Sequence, residues 1–436
     1  MNSHRRHLIA LAHPVYFSLL ASVAAGIINT VWVSRHGGPA VAAVAVATNT
    51  ENVLLGIALV FASGTTVLVA HARGAGNPGA VGAAVRGGWA LCAVVTPLVA
   101  TGGFLLREPL ARSVLGGDGP ALPLAVGYFA VSLPGIAVFF VQQLVDGILK
   151  GTGDTRTPMR LALLANGLIL VCDPLFIHTY GIRGAAVSTV VCRCVALAAG
   201  LRALRHNAQL REARSAPPAQ PTVAALRHTL RAGVPMSADF TVRQTGTLVL
   251  VAIVARLGVT AVAAYAIAYK VMYIATMAFY AVRQAAAIHT AHARGAGREQ
   301  RRAIGRQAVL LSGAVGAAAA ALLGFLAPWI MRAFGAGPAV AHDGVLFLRC
   351  VGPYLLLTAC FIALGGVFEG SGGAPLLLRV TLLGTAVQLP LARALSGLGL
   401  PGICLALAVA MALQCGVLLR LARRQEGASV SWVRVA

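Results

Sequence analysis

Ala70 to Gly76 reads AHARGAG, and Ala291 to Gly297 reads AHARGAG again, 221 residues later. Upstream at the same offset, VSRHGGPAVAAVAVA from Val33 matches VARLGVTAVAAYAIA from Val254, and Pro14 falls on Pro235. Downstream the register drifts to 219, where Gly151-Thr152-Gly153 meets Gly370-Ser371-Gly372 and Pro134 meets Pro353. Loop identity flanked by further matches at one offset is the mark of an internal repeat. The chain is a duplicated half.

What each half contains follows from composition. Of the 436 residues, 58% are hydrophobic and only 11% charged, with a mean hydropathy of +0.81. Soluble domains carry roughly a quarter charged residues, so this balance predicts an all-α integral membrane protein. A spanning helix needs about 20 mostly apolar residues. Twelve such runs are expected, at 13–33, 44–70, 86–106, 121–145, 159–177, 184–204, 233–255, 261–289, 305–328, 343–365, 375–393 and 399–421. The first follows Arg5 and Arg6 without a small-residue cleavage site, so it reads as an uncleaved span. The basic stretch from His206 to Arg231, around Ala216-Pro217-Pro218, reads as a linker. The expected organisation is a six-helix bundle over 1–205, a cytoplasmic linker over 206–231, a second six-helix bundle over 232–424 and a cytoplasmic tail over 425–436. Six helices is an even number, so the two repeats should enter the membrane in the same sense.

The 35 Lys+Arg against 12 Asp+Glu leave a formal charge of +23. In a membrane chain this points to cationic cytoplasmic loops rather than to nucleic acid. With the N-terminus inside, about 23 cationic residues face the cytoplasm and about 7 face out, which sets both termini and the linker on the cytoplasmic side. The preference for arginine over lysine suggests a GC-rich bacterial genome, hence a bacterial cytoplasmic membrane. Neither Lys150 nor Lys270 follows a glycine, so a GxxxxGK[ST] phosphate loop is absent. Eight cysteines without a CxxC pair form neither a disulfide framework nor a zinc site. The histidines assemble no metal set, and the spans offer no convergent nucleophile and base for an enzyme.

GTGDTRTPM at Gly151–Met159, DPLFI at Asp173–Ile177 followed by GIRGAA, VSRHG at Val33–Gly37 and the GAG loops after the second and eighth spans recur in order within the duplicated chain. In this the sequence resembles the multidrug and toxic compound extrusion (MATE) transporters of the MOP flippase superfamily. The major facilitators share the six-plus-six plan, but residues 71–86 lack their acidic-arginine loop signature. The resemblance implies a V-shaped pair of bundles that exports organic solutes in exchange for H⁺ or Na⁺, with no other cofactor. It also implies coupling residues. The first-span acid of many members aligns with Asn29, the fifth-span acid is Asp173, and the accompanying asparagine is displaced to Asn166. A seventh-span glutamate aligns with Arg243 and a tenth-span acid with Thr358.

The charged residues inside the spans are the other candidates, since each costs about 2.5–3.5 kcal/mol to insert without a partner or a wet cavity. Asp239 and Arg243, four apart on one helix face, are expected to pair. Lys270 is too deep to snorkel easily and is matched with Glu51 across the repeat, while Arg193, Arg283 and Arg349 are expected to snorkel toward helix ends. Gln142 and Gln143 are candidate neutral solute contacts, and Glu51, Asp239, Arg243 and Lys270 candidate charged ones. Tyr265, Tyr269, Tyr273 and Tyr280 form a stripe read as packing or as an interfacial belt. Pro14 and Pro235 are expected to permit helix bending, and Asp154 and Arg156 to shape a turn. The expected function is secondary-active efflux of a small organic solute by a monomer in the lipid bilayer. The alternatives are a flippase for lipid-linked intermediates and, further off, a membrane-embedded enzyme.

Overall fold

The structure, a computed structural model, describes residues 2–428 other than 116, 118 and 218. It is built of helices: α1 Asn2–Ser34, α2 Gly38–Gly74, α3 Pro78–Leu105, α4 Arg107–Leu115, α5 Leu122–Gly151, α6 Arg156–Tyr180, α7 Ile182–His206, α8 Ala208–Ser215, α9 Thr222–Ala255, α10 Val259–Gly295, α11 Arg301–Ala333, α12 Pro338–Cys350, α13 Gly352–Gly370, α14 Ala374–Ala394 and α15 Gly399–Ala428. Eleven stretches are long and apolar enough to cross a bilayer. The last of them, Ala374–Ala422, is divided by a 3₁₀ turn at Leu395–Leu398 into α14 and α15, so the twelve expected spans each fall on helix. Leu98, Leu105, Phe325 and Leu383 stand at least 66% exposed along these helices, a pattern that lipid, not water, makes favourable.

Three sequence expectations are corrected. The stretch read as a linker holds α8 and the first turns of α9, because Asn207 caps α8 by accepting the amide hydrogens of Gln209 and Leu210. The tenth span breaks at Val351 into α12 and α13, with Pro353 opening the second piece. The polar α4 had no hydropathy signal and was not anticipated. Of the expected tail, α15 continues to Ala428; residues 429–436, like Pro218, lie outside the described residues.

The duplication is written in the backbone. α2 and α10 are both 37 residues long, and their ends are offset by 221 at either terminus. Gly76 and Gly297, the last residues of the two AHARGAG copies, turn the chain with φ of 63° and 67°, and Gly153 and Gly372 both have φ 81°. These left-handed values are open to glycine at little cost. Turn geometry thus explains why glycine stands at the same place in each half.

The chain divides into two compact units. The first comprises residues 13–237 and 291–298; the second comprises the residues up to Ala12, residues 238–290 and those from Glu299 onward. α1 therefore passes from one unit to the other beside Pro14, and α9 beside Pro235, each helix running unbroken through its proline. The first unit is packed around Phe61, Phe140, Leu144 and Ile148, where Gly147 lets α5 approach α2 and its carbonyl accepts the Thr66 hydroxyl at 3.0 Å. The two AHARGAG copies meet inside this unit. A side chain at Gly74 would strike the carbonyl of His292, and one at Gly295 would strike the carbonyl of His71. The second unit is packed around Tyr265, Phe279, Phe347 and Leu355, with the Ser312 hydroxyl donating to the Ala359 carbonyl at 2.8 Å.

Candidate functional site

Each unit buries its own polar centre. In the first, Asp173 stands on α6 next to Pro174 and is 1% exposed. Its Oδ2 accepts a hydrogen from Asn29 Nδ2 of α1 at 3.0 Å. Asp173 Oδ1, Asn29 Oδ1 and the fully buried Ser188 Oγ of α7 have no hydrogen-bond partner. A carboxylate, an amide and a hydroxyl gathered with no ion-pair partner among the described residues form a place where a proton or small cation can be exchanged. Of the expected coupling residues, the structure unites Asn29 with Asp173. Asn166 lies about two turns back along α6 and donates to Ser22 Oγ at 3.4 Å. Ser188 carried no sequence signal, since a serine in an apolar helix is commonplace.

Glu51, on α2, was matched in sequence with Lys270. In the structure its carboxylate lies 3.6 Å from Arg193 of α7, whose guanidinium covers the Phe139 ring at 4.9 Å. Arg193 therefore turns into the unit instead of snorkelling. Lys270 is exposed on α10. Gln142 and Gln143 are half-buried midway along α5, Pro14 is buried and Pro235 half-buried.

The second unit centres on Asp239, which is 0% exposed on α9. The expected pair with Arg243 is present, Nη2 reaching Asp239 Oδ2 at 2.5 Å. The pair belongs to a larger network. Arg283 Nη2 of α10 reaches the same oxygen at 2.7 Å, and the Thr381 hydroxyl of α14 donates to Oδ1 at 2.6 Å. Arg283 also grips Glu369 of α13, with Nη2 to Oε1 at 2.6 Å and Nε to Oε2 at 3.2 Å. Two guanidiniums and two carboxylates balance, and four helices are tied together by groups that lipid could not solvate. The snorkelling expected of Arg283 is thus corrected: its side chain is 7% exposed and directed inward, with Nε and Nη2 on two carboxylates. Gly366 makes this possible, since a Cβ there would collide with the Arg283 carbonyl and hold α13 off α10.

Glu369 and Thr381 went unnoticed in the sequence. Glu369 falls beyond the predicted end of the tenth span, and threonines are common in apolar helices. The Gly-Asp-Thr-Arg-Thr-Pro turn plays the structural part expected of it. Asp154 Oδ1 accepts the amide hydrogens of Arg156 and Thr157 at 3.1 and 2.9 Å, and Oδ2 accepts the Thr157 hydroxyl at 2.6 Å, capping α6.

Comparison with known proteins gives a consistent outcome. The MatE family model matches residues 14–175 and 235–393, one segment per half. A probable multidrug resistance protein NorM of Thermotoga maritima is 26% identical over 401 residues, covering 89% of this chain and 85% of its own. An FAD transporter of Shewanella oneidensis is 25% identical over 315 residues, 70% of this chain and 68% of its own. Among solved structures, a MATE in complex with MaL6 superimposes with a TM-score of 0.90 at 22% identity, covering 98% of this chain and 97% of that one. A MOP superfamily transporter from Pyrococcus furiosus, described with a binding pocket of reverse polarity that suggests a different function, superimposes at 0.89 with 21% identity, covering 98% and 96%. These structural likenesses establish a common fold.

Proposed function

The chain belongs to the MatE family, and from that premise we propose that it is a secondary-active antiporter, exporting an organic solute across a bacterial cytoplasmic membrane in exchange for H⁺ or Na⁺ by alternating access. The observation that carries this is Asp173, an acidic side chain buried in an apolar helix whose hydrogen-bond donor is the neutral amide of Asn29. A carboxylate of this kind can gain and lose a small cation without dismantling an ion pair, which a coupling site requires. Asp239 offers no such freedom, as both its oxygens are engaged by Arg243, Arg283 and Thr381. Neutralisation of Asp173 would remove the local charge that holds α1 through Asn29, with Pro14 permitting the helix to bend. The protein acts as a monomer in this reading, with both termini in the cytoplasm.

The test is flux in reconstituted vesicles after a pH jump or, separately, a Na⁺ jump. Wild-type protein moves solute with one of the two gradients. Asp173→Asn keeps its thermal unfolding profile and loses gradient-driven flux; full flux in that variant would remove Asp173 from coupling. Scrambling of labelled lipid without solute flux would instead support the flippase alternative.

A further inference from the structure

We infer that Arg243, beside Tyr280, is a recognition site in the second unit for an anionic oxygen group, a carboxylate or phosphate, on an organic solute. The inference deepens the transport reading by naming its substrate class, and rests on that reading only for the claim that the bound solute is carried.

The argument begins with donors. Arg243 spends Nη2 on Asp239, while its Nε and Nη1 are buried without an acceptor, as is Nη1 of Arg283. A hydrogen-bonding group left unmet in an apolar interior costs about 1–3 kcal/mol, and more when charged. The network as arranged does not supply the missing acceptors. Asp239 already takes Arg243, Arg283 and Thr381, and Glu369 gives both oxygens to Arg283. The Arg243 side chain as a whole is 19% exposed, so it stands at the margin of the buried network.

Its surroundings add donors. The Tyr280 ring centroid lies 5.8 Å from Arg243 Cζ. On α13, Thr358 Oγ1 is buried without a hydrogen-bond partner. The stripe continues along α10 through Tyr273 and Tyr269, 6.4 Å apart between ring centroids, with Lys270 exposed on the same helix. Phenol and threonine hydroxyls and a guanidinium are all donors to an anionic oxygen group, and charge-assisted bonds of the guanidinium type are the strong ones. A cationic solute would face Arg243 beside carboxylates, Asp239 and Glu369, that are already engaged. The stripe read in the sequence as packing or an interfacial belt therefore divides: Tyr265, buried against Phe347, is core, while Tyr280 lines the site.

Binding of carboxyfluorescein and of flavin mononucleotide to the purified full-length protein, measured by fluorescence anisotropy, tests the inference. Arg243→Lys keeps a cation for Asp239 but removes the unpaired guanidinium donors. Tyr280→Phe leaves the ionic network untouched. Wild-type protein is expected to bind at least one probe, with affinity reduced at least tenfold in R243K and several-fold in Y280F, both variants keeping the wild-type unfolding profile. Absence of binding by either probe, or equal binding by wild type and R243K, would overturn it. If R243K fails to fold, Y280F decides by the same criterion. Gradient-driven flux of the bound anionic probe and of the cation rhodamine 123 in parallel vesicles separates the two claims: rhodamine 123 flux without anion binding leaves the antiporter reading standing and sinks the anion site, and anion binding without gradient-driven flux of either probe leaves the anion site standing and sinks the antiporter reading.

Discussion

Asp239 and Arg283, 44 residues apart, meet at 2.7 Å with side chains 0% and 7% exposed. Two guanidiniums share that one carboxylate, so its removal strands both. Removing one partner of a buried ion pair costs about 3–5 kcal/mol, and Asp239→Ala is expected to lose at least that much. Thr381→Val, which deletes one neutral donor, should cost about 1 kcal/mol. Thermal unfolding in detergent should rank the variants in that order. Equal unfolding temperatures for D239A and wild type would deny the network its structural role.

Glu51 and Arg193 make the matching test in the first unit. Their separation is 3.6 Å with side chains 26% and 24% exposed, so partial solvation discounts the pair to about 1 kcal/mol or less. Glu51→Arg alone and Arg193→Glu alone should each depress flux, and the double exchange should recover most of it. Recovery on exchanging Glu51 with Lys270 instead would point to a different partner.

Asn29 should matter to flux more than to folding. Asn29→Leu takes away the amide that donates to Asp173 at 3.0 Å. Gradient-driven transport is expected to fall at least tenfold, in line with the roughly 1.5–3 kcal/mol of a lost hydrogen bond to a charged group, while the unfolding temperature changes by a few degrees. Unchanged flux in that variant would show that Asp173 works without its neighbour.

Gly295 and Gly297 are separated by one residue and should respond oppositely to alanine. At Gly295 the added methyl runs into the His71 carbonyl, an atom that cannot move aside, so Gly295→Ala should abolish folded protein. At Gly297, φ is 67° and nothing lies within 4 Å of a Cβ, so Gly297→Ala should cost only about 1 kcal/mol of backbone strain. Yield of monodisperse protein in size-exclusion chromatography distinguishes the two.

Asp154 gives a purely local prediction. Asp154→Ala exposes the first amides of α6 and should lower stability by about 1 kcal/mol, with flux preserved in the protein that remains. Loss of flux at unchanged stability would assign the turn a part in transport.

How far the sequence reached depended on distance along the chain. Spans and repeat were legible because hydropathy and a fixed offset are local, additive signals, and the Asp239–Arg243 pair was legible from helical spacing. The Asn29–Asp173 contact came through a family resemblance, not through physics. Arg283, Glu369 and Thr381 were hidden because three-dimensional packing alone brings α10, α13 and α14 to Asp239. The Glu51–Arg193 pair was missed for a related reason: repeat equivalence suggested Lys270, and nothing in one sequence ranks competing partners for a buried acid. The polar α4 lay below any hydropathy window.

The paired glycines and histidines of the AHARGAG segments have an implication for origin. Each copy gives the other the same shape that it receives, which is the relationship an isologous interface creates between identical subunits. Two separate six-helix chains could have docked through this very surface before any covalent joint existed. Gene fusion would then have converted a concentration-dependent encounter into a permanent tether, while steric reciprocity held glycine at 74 and 295 as the rest of the halves drifted.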